Sequence, residues 1–198
     1  MEHEITTLPR IPLHSGIPVL APDPKLAYVK PDDPALRVMI DFGNTAPITI
    51  EPIVNIDLAL KKMSSMGVRL LLVTDQHDDI GGVITSYDIT GEKPIQYSQE
   101  TGIDHSEILV HMMMISLEKF PAFDYDFVRQ SLVRHVISSI RELERPYALV
   151  VETDAKSDRQ LIRGMFSSTH ISKLLGRGVY DPLHYAHSLA DMQHELTH

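Results

Sequence analysis

The 198-residue chain contains no cysteine, which excludes disulfides, thiolate zinc sites, iron–sulfur clusters and cysteine nucleophiles together. A reducing compartment fits that absence, and any metal would need histidine and carboxylate ligands. Positive charge is also scarce: 18 Lys and Arg stand against 27 Asp and Glu, a formal net charge of -9. The field of the whole molecule therefore repels phosphate backbones and argues against nucleic acid as a partner. Long apolar runs are missing too. The longest, Ile108 to Ile115, is interrupted by His111 and falls well short of the roughly 20 residues a membrane helix requires. The start, Met1-Glu2-His3-Glu4, has no basic stretch leading into an apolar one. A cytoplasmic protein with no membrane partner is the expectation. What remains is ordinary globular composition, 43% hydrophobic and 23% charged, enough for one domain or two small ones.

Proline crowds the beginning of the chain at Pro9, Pro12, Pro18, Pro22, Pro24, Pro31 and Pro34. Because proline fixes φ and lacks a backbone donor, residues 1–35 read as an extended arm. Beyond Leu36 the pattern turns periodic. Asn55 is a good N-cap, Ile56, Ala59, Leu60 and Met63 follow at helical spacing, and Gly67 is placed to end the helix. Val68 to Val73 and Gly82 to Thr85 read as buried strands joined by the polar hairpin Asp75 to Asp79. The same order recurs later in the chain. Asp126 to Glu144 carries Val128, Leu132, Val136, Ile140 and Leu143 on one helical face, followed by a strand Tyr147 to Val151, a polar loop Glu152 to Arg159, and a strand Leu161 to Phe166. The stretch from Gly82 to Ile89 lies over that from Gly164 to Ile171, so a tandem duplication is the simplest account. The expected units are residues 36–100 and 101–178, with Pro94 to Gly102 as connector and a histidine-rich segment over residues 179–198.

The repeated element is Gly, two apolar residues, Thr or Ser, two variable positions, then Asp and Ile, preceded by a buried hairpin and an amphipathic helix. It resembles the cystathionine-β-synthase (CBS) domain, a unit found in pairs, over roughly Leu36 to Gly178. In the first unit the matching residues are Thr49-Ile50-Glu51-Pro52, Ala59, Met63, Gly67-Val68, Val73-Thr74-Asp75, Gly82, Thr85 and Asp88; in the second, His170 stands where the family has Asp. The resemblance implies an α/β (α+β) fold of tandem CBS domains, two small sheets with flanking helices packed about a pseudo-two-fold axis. It also implies two clefts that bind adenosine-containing ligands such as AMP, ADP or ATP, in a protein that senses and does not catalyse.

On that resemblance, Gly82 lets its strand approach a ligand, the Thr85 hydroxyl and nearby amides hold phosphate, and Asp88 accepts from the ribose hydroxyls. Thr85 and Asp88 are equally well placed to cap the next helix. Ile48, Thr49, Val68, Arg69 and Leu70 would wall the base, and Ser167, His170 and Arg163 would form the second cleft. A neutral imidazole accepts one hydrogen bond and a protonated one none, so the His170 cleft is expected to be the weaker nucleotide site, or to hold an anion on a protonated His170. Arg69, Lys93, Lys173 and Arg177 could answer the acidic net charge locally.

Other constellations point less clearly to chemistry. His194-Glu-Leu-Thr-His198 has the zinc-protease spelling but no third ligand farther along and no rigid helix context. His184, His187, Asp191, His194 and His198 would line one side of a helix, read as a polar face and not as a metal site. The methionines after His111 are core or interface filler, since consecutive residues share no face. The expectation is a ligand-sensing regulatory module that binds an adenine nucleotide without any cofactor, forms a homodimer and signals to an effector protein. The alternative is a structural or dimerisation module of the same fold whose pockets do not bind.

Overall fold

In a computed structural model the described residues are 28–176, apart from 76, 78, 144, 155, 156 and 158, together with 10, 12, 15 and 18–20. The histidine-rich segment, Arg177 and most of the proline-rich arm lie outside them. The strands form two four-stranded sheets. The first is built from β2 (Thr49–Ile50), β3 (Leu70–Thr74), β4 (Ile80–Thr85) and β5 (Ile115–Ser116), in that order. The second runs β6 (Ala122–Asp124), β7 (Tyr147–Thr153), β8 (Gln160–Ser167) and β1 (Ile40–Asp41). Both share one plan: a parallel pair, a central antiparallel hairpin, then a short antiparallel fourth strand.

Local chemistry explains the helix that leads into the first hairpin. The Asn55 side chain accepts from the Asp57 N–H to open α1 (Ile56–Met66), and Gly67, at φ 66°, closes it by donating to the Met63 and Ser64 carbonyls. Ile56, Ala59 and Met63 bury the inner face against the sheet, each large side chain contributing about 1.5–3 kcal/mol.

The counterpart helix differs from the expected single span over 126–144. It is broken into α5 (Tyr125–Val128) and α6 (Val133–Glu142). The reason lies in residues 31–35. The α6 N-cap, Leu132, has no side-chain acceptor, so carbonyls of Pro31 and Asp33 take the N–H groups of Arg134 and Val133, while the Ala35 N–H bonds the Ser131 carbonyl. The end of the proline-rich stretch thus caps a helix of the second half, and a 3-10 turn, Ala35–Val38, buries Ala35 and Val38 in that core.

Two further features bear on the expected organisation. The stretch Pro94 to Gly102 is a helix, α3 (Lys93–Thr101), because Pro94 is tolerated in its first turn and Gly102 ends it at φ 75°. The halves also exchange strands: β1 completes the second sheet, and β5 completes the first. Edge pairing decides this, since an open sheet edge takes whichever strand reaches it.

That pairing explains the two hairpin glycines. A Cβ on Gly82 would lie 2.7 Å from the Ile115 carbonyl oxygen, and one on Gly164 would lie 2.4 Å from that of Ile40. The close approach at Gly82 is therefore that of a neighbouring strand. Both hairpins then shift register at the same place, between Val73 and Thr74 and between Val150 and Val151.

Each sheet has its own helix-side core, and the sheets meet through a third, in which Leu70, Leu72 and Val83 face Tyr147, Leu149 and Met165. No helix of the described residues is long and apolar enough to cross a membrane.

Candidate functional site

Among the described residues, two clefts open at the strand starts where the sheets meet, and each draws its walls from both halves. The larger, about 810 Å³, is bounded on one side by Pro47 and Ile48 before β2 and by Val68, Arg69 and Leu70 at the start of β3. Its other side is the beginning of α7 (Ser168–Leu175): Thr169, His170 and Lys173, with Ser167 at the N-cap. The smaller, about 230 Å³, joins Thr85, Tyr87 and Asp88 at the start of α2 (Ser86–Thr90) to Phe120, Arg145 and Tyr147.

This placement rearranges the residues selected from sequence. Ile48, Val68, Arg69 and Leu70 do come together, but around Ser167 and His170, while Thr85 and Asp88 share the other cleft. Thr49 and Arg163 line neither. Arg163 sits at the register shift of β8, donates from Nη2 to Asp41 at 3.0 Å and lies over the Tyr125 ring, 5.4 Å from its centroid. The Asp41 carboxylate thus holds that guanidinium away from the His170 cleft.

Thr85 and Asp88 form a reciprocal cap. The Asp88 carboxylate accepts from the Thr85 N–H at 2.9 Å and its hydroxyl at 2.6 Å, and the Asp88 N–H donates to Thr85 Oγ1 at 3.4 Å. Lys93 Nζ lies 3.8 Å from the other carboxylate oxygen and donates to the Met113 carbonyl. Much of the acceptor capacity of Asp88 is thereby used within the chain.

Across the axis of the repeat the arrangement is looser. The His170 N–H donates to Ser167 Oγ at 3.4 Å, and no hydrogen bond to the imidazole is present among the described residues. Burial, reinforced by the charge of Lys173, lowers the His170 pKa from its ordinary 6.5. That direction works against a charged ring, and so against an anion held by His170 itself. Any anion would instead meet Arg69 and Lys173.

The large cleft has one further electrostatic property. Among the described residues no Asp or Glu lines it, in a chain with 27 of them. Hydroxyls of Thr45, Ser64, Ser86 and Thr169 supply neutral polarity, and Ile48, Val68, Leu70 and Leu72 supply apolar wall. A flat apolar body carrying a negative group fits that lining.

Several lining residues had no sequence signal of their own. Phe120, Arg145 and Tyr147 enter the small cleft only because the second half's strand starts pack against the first half's motif. Tyr147 borders both clefts, and burial, with Tyr87 adding to the effect, pushes its pKa up to about 12. On α4 (Val110–Met113), His111 lies with Nδ1 3.0 Å from the Pro52 carbonyl, and Met113 is fully buried in the first core. Among the described residues no group of three or more His, Cys, Asp or Glu could hold a metal.

No protein-family model and no curated protein matches the sequence. Solved structures do match. An uncharacterized conserved protein from Pyrococcus horikoshii is 16% identical with a TM-score of 0.53, over 76% of this chain and 98% of its own. A conserved CBS-domain protein of unknown function from Thermoplasma acidophilum is 18% identical with a TM-score of 0.51, over 76% of this chain and 77% of its own. With two sheets of one plan meeting at paired clefts, the chain has the fold of a tandem CBS-domain pair.

Proposed function

We propose that the large cleft binds an adenosine-containing nucleotide and that the protein is a regulatory module, which reports occupancy to an effector protein and does not catalyse a reaction. The observation that carries this reading is the lining: Arg69 and Lys173 with no acidic residue among those described, in a chain of net charge -9. Such a distribution favours an anion at one place on an otherwise repelling surface. Ile48, Val68 and Leu70 would wall the base, and Ser167 with the first N–H groups of α7 would face the phosphate. Thr85 and Asp88 belong to the small cleft, where the reciprocal cap and the aromatic lining favour the second reading, a pocket that supports the fold without binding.

A homodimer and a cytoplasmic setting belong to the same proposal. Leu58, Met66 and Ile95, each more than half exposed, offer apolar surface on α1 and α3 for contact with another chain. The test is a thermal-shift panel of AMP, ADP, ATP and S-adenosylmethionine, because a ligand that binds only the folded state raises the melting temperature. The expected result is a rise with at least one of them that Arg69→Ala reduces; no rise with any would overturn the proposal.

A further inference from the structure

The shared register allows the two clefts to be compared position by position. Leu70 pairs with Thr85 as Tyr147 pairs with Ser167, and β2 meets Leu72 as β6 meets Leu149. Tyr147 therefore stands where the large cleft has Leu70. Counting two residues past each cap residue, Tyr87 stands where it has Thr169; counting two residues before each parallel pair, Phe120 stands where it has Pro47. At all three positions an aromatic ring replaces a smaller side chain.

Two of these rings are held in place by packing. Tyr147 is 5% exposed and Phe120 7% exposed, both within the core between the sheets, while Tyr87 lies at the rim. Side chains packed in such a core cannot withdraw without opening a void. We infer that Tyr87, Phe120 and Tyr147 narrow the small cleft to about 230 Å³, against about 810 Å³ in the large one, so that each chain takes one nucleotide, in the large cleft, and these rings set the stoichiometry. The stoichiometric part rests on the large cleft being a nucleotide site.

Titration calorimetry with AMP tests it on the full chain. The wild type is expected to bind one AMP. The double variant Tyr87→Thr with Phe120→Ala, which opens the small cleft at the two ring positions that do not border the large one, is expected to bind two, and adding Asp88→Ala should remove the gained site. Two sites in the wild type, or one site in both proteins, would overturn the role of the rings while leaving the large-cleft reading intact. No binding by the wild type but one Asp88-dependent site in the double variant would uphold the rings and overturn the large-cleft reading; no binding by either overturns both. If melting shows that the double variant does not fold, the reverse transplant decides. Leu70→Tyr with Thr169→Tyr should weaken wild-type binding more than tenfold, and a retained site would overturn the proposal.

Discussion

The two sheets solve one mechanical problem in the same way, yet take their fourth strands from opposite directions along the chain. In the first sheet β5 follows its hairpin in sequence; in the second, β1 comes from far ahead of it. Both approach a glycine so closely that a Cβ would collide with a carbonyl oxygen. The clefts behave in the opposite manner: their backbones correspond, but their side chains do not. Residues that seat backbone on backbone are alike in the halves, and those facing open space differ. The comparison thus separates positions that maintain the fold from positions that decide what the protein can hold.

The strongest challenge to the backbone side of that comparison is Gly164→Ala. Its added methyl would displace the Ile40 carbonyl, so β1 must shift. Overpacking of this kind costs about 1–3 kcal/mol, sometimes more, read as a lower midpoint in urea unfolding. Gly82→Ala meets Ile115 at a slightly longer distance and should cost less. Wild-type stability in both variants would break the explanation offered for the glycines.

The side-chain half of the comparison is sharpened by a pair of arginines. Arg69 lines the large cleft and Arg145, at the register-equivalent of Val68, lines the small one. A hydrogen bond to a charged group is worth about 1.5–3 kcal/mol, and 1.4 kcal/mol is tenfold in affinity. Arg69→Ala is expected to weaken AMP by about tenfold or more, and Arg145→Ala to leave it within about twofold. Equal losses in calorimetry would mean that the clefts are not functionally different.

Asp88→Ala should act on folding and hardly on binding. Removing a helix cap costs about 1 kcal/mol, and AMP affinity at the large cleft should stay within about twofold, since Asp88 lines the other cleft. A tenfold loss of AMP affinity without loss of stability would restore the ribose role read from sequence.

How much of this was legible follows from the range of the forces involved. The caps at Asn55 and Gly67 and the central hairpins are written in neighbouring residues, and they stand where the pattern places them. The break between α5 and α6 is not, because it is fixed by carbonyls of Pro31 and Asp33 roughly 100 residues earlier in the chain. The same holds for the clefts. Thr85 and Ile48 belong to the same half, but each lines a cleft with residues of the other half, and those partners are not written in the neighbouring sequence. The exchange of Asp for His170 was visible, whereas the three aromatic rings opposite it became meaningful only once register aligned them with Leu70, Thr169 and Pro47.

His170 provides the smallest expected effect, and its sign follows from its surroundings. Burial and Lys173 lower its pKa in the folded chain below the 6.5 of an unfolded one. Between those two values the unfolded chain binds a proton that the folded chain refuses, so stability rises with pH across that window. Acidification through 6.5 therefore removes stability, and the loss ends once pH falls below the folded value. His170→Gln keeps a neutral polar side chain and deletes the titration. Urea unfolding between about pH 7.5 and 5.5 should show the wild type losing more stability than the variant. Parallel curves would mean that the imidazole is as free to protonate as in water, and an anion-binding role for a charged His170 would then return to the large cleft.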